Sequence, residues 1–140
     1  MDRRRPRKPP ARPLVLIVES HDDTRMLYEL ALPAMGFEVV AARDGDDPYR
    51  RAWETHPDII VTDFPVPNHD GWQFLRDLRQ DPRTREIPLV AVTGYVEQSV
   101  RERAARDGFA AFFPKPCLPD QLASGIRQVL DGYIHADVER

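Results

Sequence analysis

Asp58-Ile59-Ile60-Val61-Thr62-Asp63, followed by Phe64-Pro65-Val66-Pro67-Asn68-His69-Asp70-Gly71, is the stretch on which the fold turns. Its apolar run shows no polar alternation and ends on a carboxylate, as expected of a strand buried on both faces. Pro65 and Pro67 stiffen the segment beyond it into a loop.

Working outward, four more short apolar runs stand at Leu14 to Val18, Glu38 to Ala42, Pro88 to Val92 and Phe109 to Phe113. Helical periodicity fills the gaps. Met26, Leu27, Leu30 and Ala31 with Met35 mark the apolar stripe of one helix, ended by Gly36. Pro48 suits the first turn of a helix over about 47 to 55, and Trp72, Phe74, Leu75 and Leu78 mark another. Val100, Ala104 and Ala105 give a weaker helix before Gly108. Leu122, Ile126, Val129 and Leu130 share one face of a last helix, Leu118 to Leu130. Five β-α repeats with connections too long for hairpins predict an α/β fold: a doubly wound, five-stranded parallel sheet, flavodoxin-like, (βα)5.

The chain has 140 residues, 31% of them charged and 41% hydrophobic, enough for one compact domain. Residues 1–13 carry six basic side chains against Asp2 alone, and the remaining 14 basic and 22 acidic residues leave the rest acidic. The expected organisation is a disordered, basic, proline-rich arm over 1–13, a globule over 14–131 and a short C-terminal tail over 132–140. An acidic globule without an appended helix-turn-helix argues against specific nucleic-acid binding; the arm adds at most salt-sensitive phosphate contacts. Cys117 is the only cysteine, so no intramolecular disulfide forms and a reducing cytoplasm fits best. The Leu14–Val18 run, interrupted by Glu19, is too short for a signal-peptide core or a membrane span.

In such sheets the site lies outside the carboxyl ends of the strands, where the strand order reverses. Those ends read Glu19-Ser20, Arg43-Asp44, Asp63, Thr93-Gly94 and Lys115-Pro116. Carboxylates, a hydroxyl and an ammonium converging in one crevice are equipped to hold a divalent cation and a phosphoryl group. No glycine-rich phosphate loop is present, so a nucleotide has no cradle, and a nucleophile here would be a carboxylate forming an acyl phosphate.

These residues carry a resemblance. Leu16-Ile17-Val18-Glu19-Ser20, Asp58 to Asp63, the loop Phe64 to Gly71, Val90-Ala91-Val92-Thr93-Gly94 and Phe112-Phe113-Pro114-Lys115-Pro116 stand in the order and spacing of a response-regulator receiver domain of two-component signalling. The chain resembles that family over roughly residues 14 to 131. The resemblance implies Asp63 as phospho-acceptor and Thr93 as the hydroxyl that closes on the phosphoryl group. It makes Lys115 the counter-charge on a cis Lys115-Pro116 bond and Phe112 the aromatic switch. By the same resemblance Gly94 would let phosphate and water approach, and Glu19, Asp63 and the Pro65 carbonyl would form the metal set for Mg²⁺.

Two positions depart from the pattern. Receiver domains usually place a second acid where Ser20 stands, and losing that carboxylate weakens or abolishes Mg²⁺ binding. Pro65 has no N–H to offer a phosphoryl oxygen. Ser20 also reads as a helix N-cap, with Asp22 and Asp23 complementing the helix dipole and His21 solvated. A metal-dependent phosphatase would want a second acid at Pro65 and is disfavoured.

The resulting expectation is a stand-alone, non-enzymatic receiver, phosphorylated on Asp63 by a histidine kinase or phosphotransfer protein. It would act on a downstream protein target, with homodimerisation through the last helices expected by analogy only. The alternative is a pseudo-receiver, a phosphorylation-independent interaction module whose pocket is degenerate at Ser20.

Overall fold

Five strands form one parallel sheet in the order β2-β1-β3-β4-β5, in a computed structural model that describes residues 11–63, 71–94 and 98–139. They are β1 (Leu14–Val18), β2 (Glu38–Ala42), β3 (Ile59–Asp63), β4 (Leu89–Thr93) and β5 (Ala111–Pro114). The intervening helices are α1 (Asp22–Ala31), α2 (Pro48–Thr55), α3 (Gly71–Gln80), α4 (Gln98–Asp107) and α5 (Pro119–Glu139). This is the doubly wound, flavodoxin-like α/β order, and its reversal point falls between β1 and β3. β1 is paired to β2 on one side and to β3 on the other, with Val18 opposite both Ala42 and Thr62. That register brings the ends of β1 and β3 to the same level, so Glu19 and Asp63 emerge together.

The strands are apolar on both faces because both are covered. Leu16, Val18, Ile60, Leu89 and Ala91 pack against Ala52 of α2, Phe74, Leu75 and Leu78 of α3, and Ala104 of α4. Val15, Ile17, Ile59, Val61, Val90 and Val92 pack on the other side against Tyr28 of α1 and Leu122, Ala123 and Ile126 of α5. Gly125 is needed where α5 crosses β5, since a Cβ there would collide with the Phe113 ring. Gly36, at φ 100°, closes the 3-10 turn Leu32–Met35 after α1 in a conformation side chains rarely adopt.

Three local readings are corrected. The stripe expected to bury α1 faces outward: Met26, Leu27 and Leu30 are exposed, Leu30 by 81%. Tyr28 is the residue α1 buries, followed by Leu32 in the turn beyond it, while Arg25 is half-buried. These three lie at i, i+3 and i+7, the same helical spacing as the stripe but rotated. The N-cap of α1 is His21, whose side chain accepts the Thr24 N–H, and not Ser20; Asp22 and Asp23 do occupy the first turn. The fifth strand starts at Ala111 rather than Phe109, because Gly108 at φ 118° ends α4 and Phe109 N–H still bonds Ala104 O.

At its far end α5 runs to Glu139, past Leu130. At the N-terminus, residues 1–10 of the basic arm lie outside the described residues. Arg12 donates from Nη2 to the carbonyls of Phe37 at 2.9 Å and Pro33 at 3.4 Å.

Candidate functional site

Asp63 ends β3, half-buried, and Lys115 follows β5; Lys115 Nζ donates to Asp63 Oδ1 at 2.5 Å. The Lys115 backbone N–H donates to Thr93 O at 2.8 Å, tying the ends of β4 and β5 together, and its bond to Pro116 is cis, as the family resemblance implied. Thr93 is 1% exposed at the end of β4, and Gly94 beside it has open space where a Cβ would stand.

Glu19 is the buried carboxylate of the cluster, 3% exposed. Its Oε2 accepts the His21 N–H at 3.0 Å, so the carboxylate is held against the loop that starts α1. Burial, with Asp63 charge beside it, pushes the Glu19 carboxyl above the usual glutamate range, against the opposing pull of the His21 N–H and Lys115. Ser20, half-buried, stands at the level of these groups at the C-terminal end of β1. Asp22 turns away from them: Oδ1 accepts from Arg25 Nη2 at 2.8 Å and its side chain is 65% exposed. That pairing holds the Asp22 carboxyl below its ordinary range. Among the described residues no three His, Cys, Asp or Glu side chains gather as a metal cluster. Pro65 and the rest of the loop 64–70 lie outside the described residues.

Some supporting groups were not singled out from the sequence. Arg25 Nη1 donates to the Glu19 carbonyl at 3.2 Å. Tyr28 Oη donates to the Cys117 carbonyl at 2.7 Å, fastening α1 to the segment just after Lys115-Pro116, and burial pushes its phenol far above its usual range. Their signal was the 25, 28, 32 spacing, masked by the more hydrophobic stripe next to it.

Phe112 is half-buried on β5 and joins an edge-to-face series. Its ring lies 5.7 Å from Phe109, Phe109 lies 5.7 Å from Trp72, and the Arg103 guanidinium stacks on Trp72 at 4.0 Å. An open cleft of about 200 Å³ beside it is lined by Arg101, Ala105, Phe109, Ala110, Ala111 and Phe112. Phe112 is therefore linked through Phe109, in the turn after α4, to Trp72 of α3, and it lines an open cleft beside α4.

Comparison with known proteins decides the family, because the response regulator receiver domain matches residues 15–127. The chain belongs to that family. This receiver domain is 30% identical over 116 residues to the polar-differentiation response regulator DivK of Brucella ovis, covering 83% of this chain and 94% of that protein. It is 32% identical over 116 residues to the phosphate regulon transcriptional regulatory protein PhoB of Escherichia coli, and spans 51% of that relative's length. Among solved structures, chemotaxis response regulator CheY4 of Vibrio cholerae superposes with a TM-score of 0.77 at 23% identity, over 84% of this chain and 98% of that one. A response regulator from Chloroflexus aurantiacus, described as putative, gives 0.75 at 26%, over 85% and 98%. Receiver domains are signalling modules of two-component systems rather than typical enzymes; they interact with histidine kinases or phosphotransfer proteins and generally bind Mg²⁺ at the phosphorylation site. No described helix of this one is long and apolar enough to cross a membrane.

Proposed function

We propose that this receiver domain accepts a phosphoryl group on Asp63 from the phosphohistidine of a kinase or phosphotransfer protein, and signals through changed protein contacts. The observation that carries the reading is the Asp63–Lys115 contact at the β3 strand end. In the transfer, the donor's N–P bond breaks as a bond forms from an Asp63 carboxylate oxygen to phosphorus, and the donor imidazole leaves. Transfer of this kind depends on positioning and charge neutralisation more than on covalent chemistry. Lys115 moves from the carboxylate to a phosphoryl oxygen, Thr93 supplies a hydroxyl, and Gly94 leaves the approach open. Phe112 turns with Thr93, and the face made by α4, β5 and α5 changes partners.

The donor protein has a place to sit. Met26, Leu27 and Leu30 on α1 and Leu118 before α5 are exposed apolar side chains. α1 starts directly after the Glu19 and Ser20 strand end, so a partner covering it reaches Asp63 with its edge. The receiver spans 14–131; Arg12 of the basic stretch before it is fastened to the Phe37 and Pro33 carbonyls, and residues 132–139 continue α5 beyond it.

The test is intact-mass analysis after incubation with phosphoramidate, in magnesium buffer and again with chelator. One added phosphoryl group in either buffer, absent from Asp63→Asn, is the expected result. No adduct in both would overturn the reading and leave the phosphorylation-independent interaction module, which the missing carboxylate at Ser20 favours.

A further inference from the structure

Among the described residues the pocket holds the charges of a phosphoryl site but no cluster of three acidic, His or Cys side chains for a resident dication. Mg²⁺ is usually held by one or two carboxylates with several waters in near-octahedral geometry. Among the described residues two carboxylates face the pocket, and each has one oxygen engaged. Asp63 Oδ1 receives the Lys115 ammonium at 2.5 Å. Glu19 is 3% exposed and its Oε2 is fixed on the His21 N–H at 3.0 Å. The next acid along the chain, Asp22, is turned outward onto Arg25. Two carboxylates beside one ammonium leave a single net negative charge to meet a doubly charged ion, whose affinity depends on ligand charge count.

We propose that this receiver's pocket does not hold Mg²⁺ as it stands, that the Lys115 ammonium serves there as the resident cation, and that Ser20 is the residue that decides it. Ser20 follows Glu19 just beyond β1, and β1 is paired directly to the strand that carries Asp63. A carboxylate at that position brings a third negative charge to the one place where the two acidic strand ends meet. It restores the charge a dication needs without disturbing the Asp63–Lys115 pair. The inference takes the pocket's location from the proposed phosphoryl site, but it concerns metal binding alone.

The experiment is a Mg²⁺ titration of the full chain followed by amide chemical shifts and calorimetry, on wild type, Ser20→Asp and the double variant Ser20→Asp/Asp63→Asn. Wild type should show no saturable shift around Glu19 and Asp63 up to about 20 mM. Ser20→Asp should saturate at least about tenfold lower, and the double variant should lose that binding. Saturable millimolar binding by wild type, lost in Asp63→Asn, would overturn the proposal. A folded Ser20→Asp that still fails to bind would remove Ser20 from the deciding role. If Ser20→Asp does not fold, the wild-type titration against Asp63→Asn still decides whether the pocket holds the ion. A phosphoryl adduct on Asp63 is read separately by mass, so failure of either reading leaves the other standing.

Discussion

Asp63 and Asp81 are both half-hidden or hidden aspartates paired to a cation, and they are built for opposite purposes. Asp81, just after α3, is 8% exposed and saturated with donors. Tyr49 Oη reaches Oδ2 at 2.5 Å. Arg83 supplies its backbone N–H at 2.8 Å, Nε at 3.1 Å and Nη2 at 2.8 Å. The same guanidinium stacks on Trp53 at 4.1 Å, so the aspartate locks α2 to the loop before β4. These donors, Arg83 first and then Tyr49, hold the Asp81 carboxyl far below the usual range. Asp63, among the described residues, has one donor, Lys115, and a second carboxylate beside it. A carboxylate with every lone pair engaged is a fastening; one with an oxygen left over, next to a movable ammonium, is a group that chemistry can reach.

The sharpest way to break this contrast is to exchange the two roles. Asp63→Asn should abolish labelling by phosphoramidate while leaving the melting temperature at or above wild type, because it relieves the charge beside Glu19. Asp81→Asn should do the reverse, lowering the melting temperature and leaving labelling intact. Circular dichroism melts and intact mass on both variants check this, and a labelled Asp63→Asn would contradict it. Next in size, Lys115→Ala removes the donor nearest the reacting oxygen and should slow labelling by about a hundredfold, with little change in melting. Leu30→Glu should reduce phosphotransfer from a cognate protein donor on the order of tenfold. Its labelling by phosphoramidate should match wild type, because only the protein donor needs the α1 face.

The pH dependence of stability separates the same two regions with opposite signs. Asp81 titrates lower folded than unfolded, so its contribution is complete above the ordinary aspartate range and is lost progressively as pH falls from there through its depressed folded value. Glu19 titrates higher when folded, so its contribution is present in acid and is lost as pH rises through its raised folded value. Glu19→Gln should therefore raise the melting temperature at neutral pH and change it little near pH 4. Tyr49→Phe, which leaves Asp81 its three Arg83 donors, should give the smallest loss of all.

The contrast also shows where a sequence is readable. The sheet was legible because strands covered on both faces, such as Leu14–Val18 and Leu89–Thr93, are continuous apolar runs that helices do not need. The strand-end groups followed from them, since parallel pairing forces Glu19, Asp63, Thr93 and Lys115 to one edge. In α1 the most hydrophobic stripe is not the buried one; the buried residue is Tyr28, whose hydroxyl bonds the Cys117 carbonyl from a distant part of the chain. The His21 cap depended on a ring nitrogen standing in for the Ser20 hydroxyl. The Asp81 fastening joins Tyr49 to a partner 32 positions away, a pairing that no local pattern announces.

The most direct test of the central claim is the mass of the intact chain after phosphoramidate treatment, compared with Asp63→Asn prepared in parallel. The account predicts a single phosphoryl adduct on the wild type and none on the variant. A wild type that stays unmodified, in magnesium and in chelator alike, would contradict it and make Asp63, like Asp81, a structural carboxylate.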